Sequence, residues 1–493
     1  MLNLFEYQNK IAIKNDFDGL ESFLDEIWAK REKNSFYSNN SEDKTESQRF
    51  LQFIHKSNEL KSNKYVGVIH FNGNKINLLP KIFFDSSKEF NPQEVTQIQN
   101  HILWWLSYCR KIKFPNYQAS LGSAKTDFFE VLIYLFSKYT RELLSNSIYQ
   151  QYEEINKELS FMKGRLNINE YINENISKGR WHHLNCTYDA FVFDNEFNRI
   201  IKYVTNLLFN VTSSQDNKKN LREILFILDE VSDEKASAEQ CEKITFNPMF
   251  GEFETVRDYC KLFLTNCVSF DYKNDLKLFA FLLPMEYVFE DFIFGFIEKE
   301  IPSIVAKAQR GDIYLDESEV FNLKPDLFLK TEFKSLIADT KYKIVYSDEK
   351  DPKKGISQND LYQMLAYAVR FKVDEIILFY PDTIKHTQEN SAEILIKDTL
   401  ANNKEISIKA FQLPIINKGL LNQELNTKTD LKELFEPTRI ELIEKILVLT
   451  ACKRHNPAAG ATQGYDRLHA NRYGQVYEKT TKLKAKDKRA TKG

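Results

Sequence analysis

Two aspartates and a lysine have the types and spacing to handle a phosphodiester. Asp326 opens the apolar run Pro325-Asp-Leu-Phe-Leu-Lys330, and Asp339 and Lys341 lie in the next run, Ser335–Val345. In an extended strand residues i and i+2 project to one face, so Asp339 and Lys341 stand side by side. If the two runs pair as a hairpin across the polar turn Thr331-Glu-Phe-Lys334, Asp326 lies across from them. Two carboxylates converging without an obvious cationic partner make a site for a hard divalent cation. Mg2+ takes oxygen ligands and keeps several waters, and the backbone carbonyl of Thr340 offers a further oxygen. Such an ion lowers the pKa of bound water and neutralises phosphate oxygens. Lys341, a compact point charge, can orient the attacking water and stabilise the extra charge of the transition state. Strand-end acids and a surface lysine would look the same in isolation; the context argues for the site. A helix over Asn359–Phe371 follows, with Asn359 as its cap, and Gln363 and Tyr367 share one of its faces. That pair suits either the orientation of water or phosphate or a plain amphipathic helix.

The elements that must hold these residues read as an α/β core. A helix over Leu283–Glu300 precedes the two strands, Asp374–Tyr380 supplies a third and Ile406–Gln412 a fourth. Upstream, Tyr65–Phe71 and Ile76–Leu79 flank Asn72-Gly73, a strong hairpin signal. Ser35–Ser47 is polar and reads as a loop, and Glu94–Lys111, with Trp104 and Trp105, reads as a buried helix. Residues 126–270 read as mainly helical: Phe128, Val131, Leu132, Leu135 and Tyr139 line one face, as do Phe197, Ile200, Ile201, Val204 and Leu208. Met162-Lys-Gly-Arg-Leu166 interrupts as a turn. The expected class is α+β and multidomain, with a β-rich N-terminal domain over 1–115, a helical middle over 116–270, the α/β core over 271–415, and a C-terminal helix and basic tail over 416–493.

Composition bounds the function. The 493 residues are 42% apolar and 28% charged, as in a soluble globular chain. No apolar run is long enough to span a bilayer, and the first residues have no basic segment leading an apolar one, so the chain reads as cytoplasmic, without a membrane partner. The six cysteines (Cys109, Cys186, Cys241, Cys260, Cys267 and Cys452) form no C-x-x-C pair, which argues against a zinc site or a disulfide framework. Residues 451–493 hold eleven basic and three acidic side chains, net +8, against −2 for the whole chain. Residues 1–450 therefore carry −10, and a body this acidic meets DNA only through a local basic surface, a metal or a partner. No Gly-Lys dipeptide occurs, so the chain has no P-loop and binds no nucleotide that way.

At these residues the sequence resembles a family. Pro325-Asp326, then Asp339-Thr-Lys341-Tyr-Lys343, then Gln363-x3-Tyr367 is the pattern of PD-(D/E)xK nucleases of the restriction-endonuclease-like fold. With Asp360-Leu-Tyr-Gln-Met-Leu-Ala-Tyr-Ala and Leu378-Phe-Tyr-Pro381, it is similar to the McrC family, the nuclease subunits of McrBC-type modification-dependent restriction systems. Ile76-Asn-Leu-Leu-Pro-Lys-Ile82, Met162-Lys-Gly-Arg-Leu166 and Phe193-Asp-Asn-Glu-Phe-Asn-Arg199 resemble that family's upstream regions more loosely. The resemblance implies a Mg2+-dependent DNA endonuclease working with a McrB-like AAA+ GTPase hexamer, which would bind the GTP and be stimulated through the N-terminal part. Its substrate would be double-stranded DNA carrying a modified base, in a defence against phage. By the same analogy Glu290 is the first acid of the site, with Glu286 and Asp291 as rivals, and Tyr367 is a packing or positioning group.

Two other functions compete: a non-cleaving activator or scaffold of an AAA+ ring, and a repair nuclease on the same fold. His182-His183 beside Trp181 suit a surface or core role better than a metal. Asp189, Asp194 and Arg199 support no catalytic pair. Lys163 and Arg165 suit either a phosphate or motor contact or a solvated turn.

Overall fold

The computed structural model describes residues 2–12, 19–22, 51–71, 74–110, 128–269, 279–308, 313–331, 334–345, 353, 356–385, 391–398, 404–422 and 430–450. The loop expected at Ser35–Ser47 and the basic tail lie outside them. The described residues up to Leu449 belong to one unit, a mixed α/β arrangement with several sheets.

The hairpin expected around Asn72-Gly73 forms, with Gly67 opposite Leu78 and Ile69 opposite Ile76. It sits in a five-stranded sheet, ordered Leu2–Phe5, Asn74–Leu79, Tyr65–Phe71, Phe279–Pro284, Cys267–Ser269. Phe279–Pro284 falls beyond the boundary drawn at 271, yet its apolar residues complete the N-terminal sheet. Gly67 permits that closure: its φ is +148°, and a Cβ there would meet the Phe281 carbonyl oxygen at 1.9 Å.

The helix Pro92–Tyr108 starts at a capping box between Asn91 and Glu94, with Pro92 in its first turn. It is buried on nearly every side. Trp104 stacks on Phe435 at 4.7 Å and meets Phe292 edge-on at 5.2 Å, tying the C-terminal helix Leu431–Thr450 and the helix Met285–Glu300 to one core.

The middle stretch contains the expected helices Phe128–Asn146 and Glu196–Val211. It also contains a sheet that the reading of this stretch as mainly helical does not anticipate: Gln151–Leu159, Leu184–Val192 and Arg165–Leu166, with the long Leu184–Val192 strand between the other two. No residue of Gln151–Leu159 is fully buried, so this strand has no apolar alternation to reveal it.

The second large sheet carries the residues of interest. Its order is Val305–Ala308, Leu327–Lys330, Ser335–Thr340, Glu375–Pro381, Lys404–Leu413, Ser391–Asp398. Both edge strands are additions to the four expected. The two central pairings are parallel, and a parallel link needs a crossover. The helix Gln358–Phe371 supplies it between Thr340 and Glu375. Its cap is Ser357 and not Asn359: the Ser357 side chain accepts from the Asp360 N–H, and Asn359 falls inside the first turn. Alternation along the strands buries both faces. Leu336, Ala338, Ile377 and Phe379 join the core of the Met285–Glu300 helix, while Ile337, Ile376 and Leu378 pack with Met364 and Tyr367 of the crossover helix. Among the described residues no helix is long and apolar enough to cross a membrane.

Candidate active site

Leu327 pairs with Ala338 in the antiparallel hairpin, and Asp326, the residue before Leu327, brings its charge to bear on Asp339. The expected convergence is therefore present. Thr340 donates its backbone N–H and its hydroxyl to Asp326 Oδ2, each at 2.7 Å. Asp339 is only 1% exposed. Its Oδ2 forms an ion pair with Lys341 Nζ at 2.5 Å, while its Oδ1 has no hydrogen-bond partner. Lys341 Nζ also donates to Gln363 Oε1 at 3.1 Å. Gln363 Nε2 in turn donates to the Tyr367 hydroxyl (2.8 Å), and that hydroxyl donates to the Lys324 carbonyl (3.1 Å), two residues before Asp326. The ring of contacts thus closes on both sides of the hairpin.

The electrostatics match the geometry. Burial pushes Asp339 up to about 7, the charge of Asp326 adds to the rise, and Lys341 opposes it. Burial and then Glu290 push Asp326 up to about 6, against the Thr340 hydrogen bonds. Burial works against the Lys341 charge, yet Asp339 and Asp326 hold its pKa above the usual lysine value. Two carboxylates that resist ionising together, one with an orphaned buried oxygen, are short of positive charge.

The charge of Glu290 acts on Asp326, whereas its rivals are engaged elsewhere. Asp291 accepts the Arg110 N–H at 2.9 Å and pairs with its side chain at 3.3 Å. Glu286 acts on the Glu6 and Lys81 cluster. Tyr367 is buried and positions Gln363. Away from the site, the His182 and His183 rings lie 4.3 Å apart and His183 pairs with Glu158, a surface arrangement. Arg199 is held by Asp194 at 2.7 Å, and Lys163 sits 4.0 Å over the Tyr188 ring. Neither the histidines nor these pairs approach the carboxylates in sequence or sheet.

Three groups beside the site were not anticipated from sequence. Thr340 acts through its N–H and hydroxyl, whereas only its carbonyl was singled out. Lys343 is gripped by both oxygens of the buried Asp360, at 2.8 Å each. Glu6, just after the N-terminal strand, accepts a hydrogen bond from Tyr342. An acid at the first turn of the crossover helix and a second lysine after Lys341 were legible signals for one of these. Glu6 lies too far away in sequence to be paired.

Among the described residues no group of three or more His, Cys, Asp or Glu side chains could cage a metal ion. Mg2+ does not require a cage: one or two carboxylates, waters and substrate phosphates suffice. The buried Asp339 with its unsatisfied Oδ1 and the half-buried Asp326 fit that coordination.

The family model described as McrBC 5-methylcytosine restriction system component matches residues 60–381. No curated protein matches. Among solved structures, the fold is similar to a chain of a half-complex from the tetradecameric assembly of Thermococcus gammatolerans McrB AAA+ hexamers with bound McrC. That likeness has 16% identity and a TM-score of 0.58, and covers 90% of this chain and 99% of that one. The Thermococcus gammatolerans McrBC complex also matches, at 20% identity and a TM-score of 0.44, over 60% of this chain and 87% of that one.

Proposed function

The chain belongs to the family of McrBC 5-methylcytosine restriction system components, and we propose that it is the subunit of such a system that cuts DNA, on a core of the PD-(D/E)xK type. The observation that carries this is the Asp326–Asp339 pair with an orphaned oxygen and Lys341 seated on it. A bound Mg2+ would supply a water of lowered pKa and neutralise phosphate charge. Asp326 and Asp339 would hold it, with the Thr340 carbonyl as a further oxygen and Glu290 at the edge of the set.

The chain's own groups do the positioning. Thr340 fixes the Asp326 carboxylate. Lys341 has three N–H donors; Asp339 and Gln363 occupy two, and the third is available for an attacking water or a phosphate oxygen. Gln363 and Tyr367 keep the ammonium from swinging away, and a fixed charge stabilises a developing one better than a mobile one.

The acidic body and the lack of a P-loop fit a cutter delivered to DNA by a motor, an AAA+ GTPase that binds the GTP. Exposed apolar side chains around the three-stranded middle sheet fit such a partner: Phe161, Met162, Ile168 and Trp181 are each at least 60% exposed. The test is to mix the purified chain with its GTPase partner, GTP, Mg2+ and DNA containing 5-methylcytosine. The wild-type chain cuts and Lys341→Ala does not; equal cutting by both refutes the assignment.

A further inference from the structure

A polar cluster outside the site joins the N-terminal sheet to the residue next to the proposed catalytic lysine. Glu6 follows the strand Leu2–Phe5 and is only 1% exposed. Its backbone N–H is fixed by the Leu79 carbonyl at 3.0 Å. One of its oxygens, Oε2, accepts from the Lys81 N–H at 3.2 Å and from the Tyr342 hydroxyl at 3.1 Å. Lys81 Nζ lies 4.4 Å over the Tyr342 ring, and Phe289, next to Glu290, packs on the same ring at 5.9 Å. Tyr342 is the centre of a tight turn closed by Lys343 N–H to the Lys341 carbonyl at 2.8 Å. The two flanks of that turn are Lys341, reaching Asp339 and Gln363, and Lys343, reaching Asp360. A shift of the Tyr342 ring therefore moves both lysines.

Burying a carboxylate is costly, and an apolar pair would join two sheets with less penalty. A carboxylate specifies direction as well as contact: it holds the Tyr342 hydroxyl at one point relative to the N-terminal strands. We infer that Glu6 and Tyr342 are positioning residues that set Lys341 in register with the N-terminal sheet, so that the placement of that sheet governs cutting. The inference rests on the proposed nuclease reading.

The test uses the full chain with its partner. Tyr342→Phe keeps the ring and loses the hydrogen bond, and Glu6→Gln removes the charge. Each is expected to lower kcat for DNA cleavage about tenfold, with KM for DNA within about twofold of wild type. The double variant is expected to be no slower than the slower single one, because both break one joint. The amides of Lys341 and Lys343 are expected to exchange faster in Tyr342→Phe. Wild-type kcat in Tyr342→Phe, or losses that simply multiply in the double variant, overturns the inference. If the wild-type chain cuts nothing, the nuclease reading fails and amide exchange alone decides: unchanged exchange at Lys341 and Lys343 then refutes the joint.

Discussion

Thr340 gives both its donors to one oxygen of Asp326, at 2.7 Å each. Charge-assisted bonds of this kind favour the ionised carboxylate and point its other oxygen elsewhere. Thr340→Val keeps the shape and the backbone bond and removes the hydroxyl. Groups that orient a metal ligand typically contribute tenfold or more to metal affinity. The Mg2+ concentration for half-maximal cleavage is expected to rise about tenfold, measured by titrating the ion at fixed DNA; an unchanged midpoint contradicts the role of Thr340.

The paired carboxylates also predict how stability follows pH. Burial above all raises Asp326 to about 6 and Asp339 to about 7, well above the ordinary aspartate range. In that window the folded state binds more protons than the unfolded one, so without metal their contribution falls as pH rises from about 4 to about 7. On the proposed reading Mg2+ would bind the ionised pair and reverse the trend. The rise in melting temperature on adding Mg2+ should grow from about pH 6 to about pH 8 and vanish in Asp326→Asn. A shift independent of pH speaks against this pair as the metal ligands.

The hydrogen-bond chain from Lys341 through Gln363 and Tyr367 to the Lys324 carbonyl predicts graded effects. Tyr367→Phe removes the donor to the Lys324 carbonyl and frees Gln363, at a cost of about 1 kcal/mol in stability. Gln363→Leu leaves Lys341 with Asp339 alone. Both variants should cut more slowly than wild type, Gln363→Leu by about tenfold or more. Urea unfolding and single-turnover cleavage separate the two effects.

The exposed apolar side chains around the middle sheet predict a separable function. Trp181 and Ile168 lie 72% and 60% exposed, so replacing them with Ser removes no core packing. The double variant should unfold at the wild-type temperature but stimulate the partner's GTP hydrolysis at least about tenfold less, consistent with the loss of two large interface anchors. Full stimulation would place the partner elsewhere.

Much of the sheet that carries the site was legible in the sequence because its strands are short apolar runs with strong punctuation. Asp339 and Lys341 follow from period-two spacing, and Asp326 from the hairpin that the Thr331 turn implies. Gln363 and Tyr367 were legible as one helical face, though not their link back to the Lys324 carbonyl. Other strands escaped: Gln151–Leu159 alternates only between half-buried and exposed positions and has few apolar residues, and Val305–Ala308 and Ser391–Asp398 are sheet edges. The cap at Ser357 was misplaced by two residues because Asn359 has an equally good capping side chain. Glu6 escaped for a different reason: its partner Tyr342 lies 336 residues away along the chain, and no local pattern encodes a contact of that range.

Asp339→Asn tests the central claim most directly. This change keeps the shape of the side chain and removes the charge that Mg2+ and Lys341 both need. With the partner, GTP, Mg2+ and methylated DNA, the single-turnover cleavage rate is predicted to fall by at least about two orders of magnitude. Cleavage at the wild-type rate by this variant would contradict the account.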